Sequence, residues 1–320
     1  MSTRTQHKAA GAHTSIEAQR ASYRALELKW IATMGAVPSK GARKSKKIKK
    51  LVQEGVPSSV RGVVWLYLTD SKARRMKGLY TQLTKRGRVP ASDDILKDAS
   101  TCFPEQKHLR EESGPLILLL QAYLGMVPDL VYEKSLTVIA GRILLLSPEE
   151  DAFWTFVALM DNYLRGYFSP ASMLIEVDST LFGKALQTAD QALAQRLFGD
   201  LSITPVELCR TWFPTLFSDT LPEDYLERVW DFFLYEGTPF LFRLGFAVLS
   251  LCRPFLMDAS RGLAKSDVLS YLVQPSASLF PADVNQFIAS AFAARVKDDD
   301  LRKLRPKVEA QLKHHRVVSR

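Results

Sequence analysis

Cysteine is scarce in this 320-residue chain. Cys102, Cys209 and Cys252 are an odd number with no metal-ligand spacing, which argues against a disulfide framework and fits a reducing compartment. Histidine is nearly as rare: of His7, His13, His108, His314 and His315, four stand in the polar ends of the chain. A zinc site or a serine–histidine triad therefore has no material to build on. No cationic start followed by an apolar core marks a signal peptide. The longest apolar stretch, Pro239 to Cys252, is interrupted by Arg243 and is too short for a bilayer span. Alternating strand patterns are almost missing, and no Asn-Gly or Asp-Gly hairpin signal occurs. There is no phosphate-cradling glycine loop either, so no cofactor is expected on this chain. A cytoplasmic, all-α protein without a sheet is the expectation.

Apolar residues make up 47% and charged residues 24%, ordinary proportions for a globular chain long enough to bury a large core. The formal charge of +9 is concentrated in Arg43–Lys50 and in the tail from Lys303 to Arg320. Such runs can bind anionic lipid, and a weak membrane contact through Arg43–Lys50 is open on charge alone. A solvated helix face is the commoner use of a basic run. No aromatic residue interleaves with these lysines, which speaks against a nucleic-acid partner.

Residues 1–20 are polar and small and read as a disordered tail. Tyr23, Leu26, Leu28 and Trp30 predict an amphipathic helix across 16–34, which Pro38-Ser39-Lys40-Gly41 ends; residues 21–44 thus form a helix and a basic linker. Val60, Val64 and Leu68 share one face of a helix starting near Ser58. Leu116–Tyr123 and Leu136–Leu146 are apolar helices bounded by Pro115, Pro128 and Pro148, and Glu149-Glu150-Asp151 opens the next with acid at its positive pole. The segment from Ser172 to Phe198 reads as a long helix bent near Gly183. Pro222 starts a helix that Gly237 ends, and Thr238-Pro239 starts another that should stop before Pro254. Trp65, Trp154, Trp212 and Trp230 are expected as core anchors.

Several motifs then stand in order. Gly55-Val56-Pro57, Arg61-Gly62, Val64 and Trp65 are followed by Ile95, Asp98, Phe103-Pro104, and by Tyr132. Phe153-Trp154, Trp212-Phe213, Leu216-Phe217, Leu221-Pro222, Arg228-Val229-Trp230-Asp231 and Glu236-Gly237 come later. Together they resemble the TBC family, the Rab GTPase-activating proteins, over roughly 45–260. The resemblance implies a multi-helix, right-angled bundle of two helical subdomains, about 45–150 and 151–260, with further helices and a basic tail over 261–320. It implies a Rab-type small GTPase or another trafficking partner, with nucleotide and magnesium belonging to the partner, and a location on endomembrane surfaces.

The resemblance also implies where catalysis would sit. The family's I-x-x-D-x-x-R-T-F-P places its arginine at Thr101, and its Y-x-Q-G places its glutamine at Lys134 and its glycine at Ser135. GTP hydrolysis needs a positioned water and positive charge on the departing phosphate, and an arginine finger contributes about 10³–10⁵ in rate. Threonine is short and neutral. Lysine has no acceptor for the water's proton, and Glu133 beside it adds negative charge. The expected partner surface is Arg61, Trp65, Asp98, Thr101, Glu133 and Lys134, without catalytic residues. The alternative is an activator that uses Lys134 as an atypical cationic finger; Arg110 and Arg142 are other cations with no distinguishing spacing.

Overall fold

The computed structural model describes residues 3–258, 260, 262–294 and 296–318. Among these residues all regular structure is helical, with no strand, as the apolar periodicity requires. The first half comprises α1 (Thr3–Ala36), α2 (Lys46–Glu54), α3 (Ser58–Leu68), α4 (Leu79–Thr84), α5 (Ser92–Cys102), α6 (Lys107–Arg110), α7 (Pro115–Met126), α8 (Lys134–Leu144) and α9 (Glu149–Leu159). There follow α10 (Arg165–Phe168), α11 (Leu174–Ala189), α12 (Gln191–Ala194), α13 (Pro205–Trp212), α14 (Glu223–Glu236) and α15 (Thr238–Leu256). The chain closes with α16 (Lys265–Val273), α17 (Val284–Ala293) and α18 (Asp298–Val318).

Local chemistry sets most boundaries. Pro115 and Pro205 sit in the first turns of α7 and α13, where a missing N–H costs nothing. Thr204 and Glu207 close a reciprocal capping box on α13. Three acidic residues open α9, and Gly237 separates α14 from α15.

Four expectations need correction. The backbone of α1 is helical from Thr3, through the segment expected to be disordered; Ala, Gln, Glu and Arg dominate residues 16–20 and favour helix. The second half of α1 belongs to the core, since Trp30 is fully buried and its Nε1 donates to Gly55 O at 2.8 Å. The segment after Ser172 does not bend at Gly183 but breaks at Asp190, whose side chain caps α12 through Leu193 N at 3.0 Å. Gly183 instead admits Pro205, whose Cγ would stand 2.9 Å from any Cβ there. Helix α15 runs through Pro254, because the carbonyl freed by that ring belongs to exposed Ser250 and can be hydrated. At 19 residues α15 is long and apolar enough to cross a membrane. Its Phe240, Leu241, Phe242, Leu244, Val248 and Leu249 are nevertheless buried within the protein, as in a core helix.

The basic run serves packing in part. Ile48, Leu51 and Val52 bury one face of α2. Arg43 Nε donates to Tyr235 O at 2.7 Å, and Lys49 and Lys50 lie 3.8 and 3.9 Å from Glu236 and Glu54. Lys44, Lys46 and Lys47 remain exposed.

Candidate partner-binding cleft

Two of the expected surface residues are interior. Arg61 Nε lies 3.2 Å from Asp231 Oδ1, its Nη2 donates to Val56 O at 2.7 Å, and Nη1 pairs with Glu227. Trp65 Nε1 donates to the same Asp231 Oδ1 at 2.7 Å, and its ring lies 5.8 Å from that of Trp230. Asp231 has no exposed surface. Burial pushes its carboxyl up to about 6, while the Arg61 charge and the Trp65 N–H pull it down. A buried carboxylate needs donors on every side, so Arg61 and Trp65 are consumed in joining α3 to α14. Among the described residues Arg61 does not pair with Asp98.

Asp98 is instead the link between the two motif segments. It accepts from the Tyr132 hydroxyl at 2.8 Å, and the same hydroxyl lies 2.7 Å from Thr137 Oγ1. Desolvation drives the Tyr132 phenol upward, so it stays a donor. Helices α5 and α8 approach closely just beyond: a Cβ on Gly141 would fall 2.2 Å from the Phe103 ring. Thr101 is exposed near the end of α5, its hydroxyl turned back onto Lys97 O at 3.1 Å. Lys134 is the first residue of α8, exposed, and forms no ion pair among the described residues.

Glu133 precedes Lys134 as the N-cap but makes no side-chain cap. With Arg210 and Glu176 it lines a cavity of about 190 Å³. Desolvation against that wall raises its carboxyl, with Arg210 pulling the other way. The half-buried thiol of Cys102 sits among the remaining groups. Burial raises it, Lys134 and Arg142 lower it, and Asp98 and Asp219 raise it further. Lys134, Arg142, Asp98 and Asp219 thus all act on the Cys102 thiol, with Thr101 the residue before it; Arg142 was a candidate that no spacing distinguished, and Asp219 was not selected from the sequence.

Arg142 is bound rather than free. Its side chain is 17% exposed, and Nη2 donates to Glu223 Oε1 at 3.2 Å, tying α8 to the first residue of α14. An arginine inside an otherwise apolar helix was the available signal; its neighbour could not be read from spacing. Arg110 is not among the charges acting on Cys102.

The match to known proteins now decides the lineage: the family model described as the Rab-GTPase-TBC domain covers residues 58–257. The chain belongs to the TBC family. TBC1 domain family member 10B of Homo sapiens is 32% identical over 230 residues, 70% of this chain but 28% of that protein. Growth hormone-regulated TBC protein 1 of Homo sapiens is 27% identical over 262 residues, covering 79% of this chain and 77% of that one. The chain thus spans less than a third of the first relative's length. The TBC fold is shared with the Chlamydomonas flagellar RabGAP TBC domain, at a TM-score of 0.62 and 22% identity over 86% of this chain and 94% of the other. It is shared likewise with the Skywalker/TBC1D24 TBC domain of Drosophila melanogaster, at 0.65 and 16% over 87% and 95%.

Proposed function

We propose that this TBC domain binds a Rab-type small GTPase, or failing that another trafficking partner, in the α5–α8 cleft without accelerating GTP hydrolysis. The observation that carries the reading is the pair of side chains at the finger positions. Thr101 spends its hydroxyl on its own helix at Lys97 O and is too short to reach a phosphate across an interface. Lys134 offers donors only. The framework that would hold the fingers, Asp98–Tyr132 and Gly141 against Phe103, is intact. A protein of this kind acts in the cytoplasm, at endomembrane surfaces where its partner resides.

Single-turnover hydrolysis across a Rab panel tests this, with the Thr101→Arg/Lys134→Gln double variant alongside. A silent wild type and an accelerating double variant are expected. A wild type that raised hydrolysis about a hundredfold would sink the non-catalytic reading, although an arginine finger contributes more, about 10³–10⁵.

One observation favours a second reading. The Lys134 ammonium is exposed and unpaired and can place positive charge near a phosphate while the GTPase orients its own water. Activity lost in Lys134→Ala would support it, and activity that survives that change removes Lys134 from any mechanism.

A further inference from the structure

The turn between α13 and α14 carries an exposed carboxylate, Asp219, and is followed by Glu223, which is bonded to Arg142 of α8. Leu216 and Phe217 are consecutive residues with φ of 49° and 62°, a left-handed conformation that bulky side chains seldom adopt. It is held in place from several directions. Both side chains are buried, Trp230 Nε1 donates to Leu216 O at 3.1 Å, and Phe217 N donates to Trp212 O at 2.9 Å. Thr220 N and Leu221 N both return to Phe217 O, at 3.1 and 2.9 Å. The backbone is therefore fixed before any partner arrives, which lowers the ordering cost of binding.

This rigid turn presents Asp219, flanked by Ser218 and Thr220. Ser218 Oγ and Thr220 Oγ1 are buried with no hydrogen-bond partner, although buried hydroxyls are nearly always satisfied. Asp219 is exposed, and its carboxylate has no ion pair among the described residues. The Arg142–Glu223 bond sets the turn beside α8, and the Arg142 guanidinium is already committed to that carboxylate. Across the cleft Lys134 is equally exposed and unpaired. A free cation at the start of α8 and a free anion on the turn thus both act on Cys102 at the end of α5.

We infer that the Leu216–Thr220 turn is a partner-contacting wall of the cleft, with Asp219 pairing to a basic side chain on the bound GTPase. This rests on the GTPase-binding reading and deepens it: the second half of the TBC domain selects the partner rather than only supporting the first. A GTPase with a lysine or arginine facing this wall binds, and one with an acidic residue there is repelled.

The test is the affinity of the full chain for a panel of Rab-type GTPases loaded with a non-hydrolysable GTP analogue. Wild type, Asp219→Asn and Asp219→Lys are compared at low and high salt, with thermal melts as folding controls. Asp219→Lys is expected to weaken the bound GTPase at least about tenfold, with a larger loss at low salt; Asp219→Asn gives about threefold. An acidic substitution of the matching basic residue on the GTPase should restore binding to Asp219→Lys. A GTPase that binds wild type and Asp219→Lys equally overturns the wall assignment while leaving the binding reading in place. A wild type that binds no GTPase in the panel overturns both.

Discussion

The Tyr132 hydroxyl donates to Asp98 at 2.8 Å while lying 2.7 Å from Thr137, so one side chain ties α5 to the start of α8. The two motif segments that carry Thr101 and Lys134 are thereby fastened to one another. Tyr132→Phe removes the shared hydroxyl and leaves Asp98 and Thr137 to find other partners in a partly buried place. A destabilisation of about 1–3 kcal/mol is expected, read as a lower urea midpoint. An unchanged midpoint would show that the bond contributes nothing to holding the cleft.

Arg61 and Asp231 make the strongest stability prediction. Arg61→Ala strands a carboxylate that has no exposed surface, leaving Trp65 Nε1 and a more distant Arg228, 4.0 Å away, to compensate it. Loss of one partner of such a pair costs about 3–5 kcal/mol. In denaturant unfolding this variant should be among the most damaged on α3. Because Arg61 is interior, the folded fraction should bind partner with wild-type affinity, and weakened binding by well-folded protein would return Arg61 to the interface.

Gly141 is required by the close approach of Phe103. Gly141→Ala forces the ring off its position, since the added carbon would lie 2.2 Å from it. Overpacking of this kind costs about 1–3 kcal/mol. The same change should also disturb the end of α5 that carries Thr101, so the Thr101→Arg/Lys134→Gln protein should lose part of any gained activity when Gly141→Ala is added. A triple variant as active as the double would separate that contact from the site.

The acid limb of stability should report on Glu207. Lys265, at 2.8 Å, and the Thr204 cap hold its carboxyl down at about 2, below the model-peptide 4.5. A depressed acid favours the folded state above about pH 4.5, and that contribution disappears as pH falls toward about 2. The pair is exposed, so salt screens it and the effect is small. Glu207→Gln should flatten the pH dependence of the unfolding midpoint between those limits and leave a smaller salt effect. Parallel curves for wild type and variant would exclude Glu207 as a source of the slope.

Much of the helical layout was legible because it is locally encoded. Pro115, the acidic start of α9 and Gly237 each act within one turn of their own position. The misplaced ends, at Asp190 and Pro254, are where a cap or a solvent-exposed carbonyl changed the local balance. Thr101 and Lys134 were picked out by motif order, and both are exposed, one near the end of α5 and the other at the start of α8.

What the sequence determined by itself was the helical periodicity, the family and the identity of the groups at the finger positions, all set by residue type and order along the chain. Which polar groups stay free for a partner was decided only by the tertiary structure. Arg61 and Asp231 stand 170 residues apart, and Arg142 and Glu223 stand 81 apart. Long-range pairs such as these remove one charge from the surface and leave another on it. Asp219 and Lys134 stay exposed and without an ion pair among the described residues, while Arg142 is bonded to Glu223.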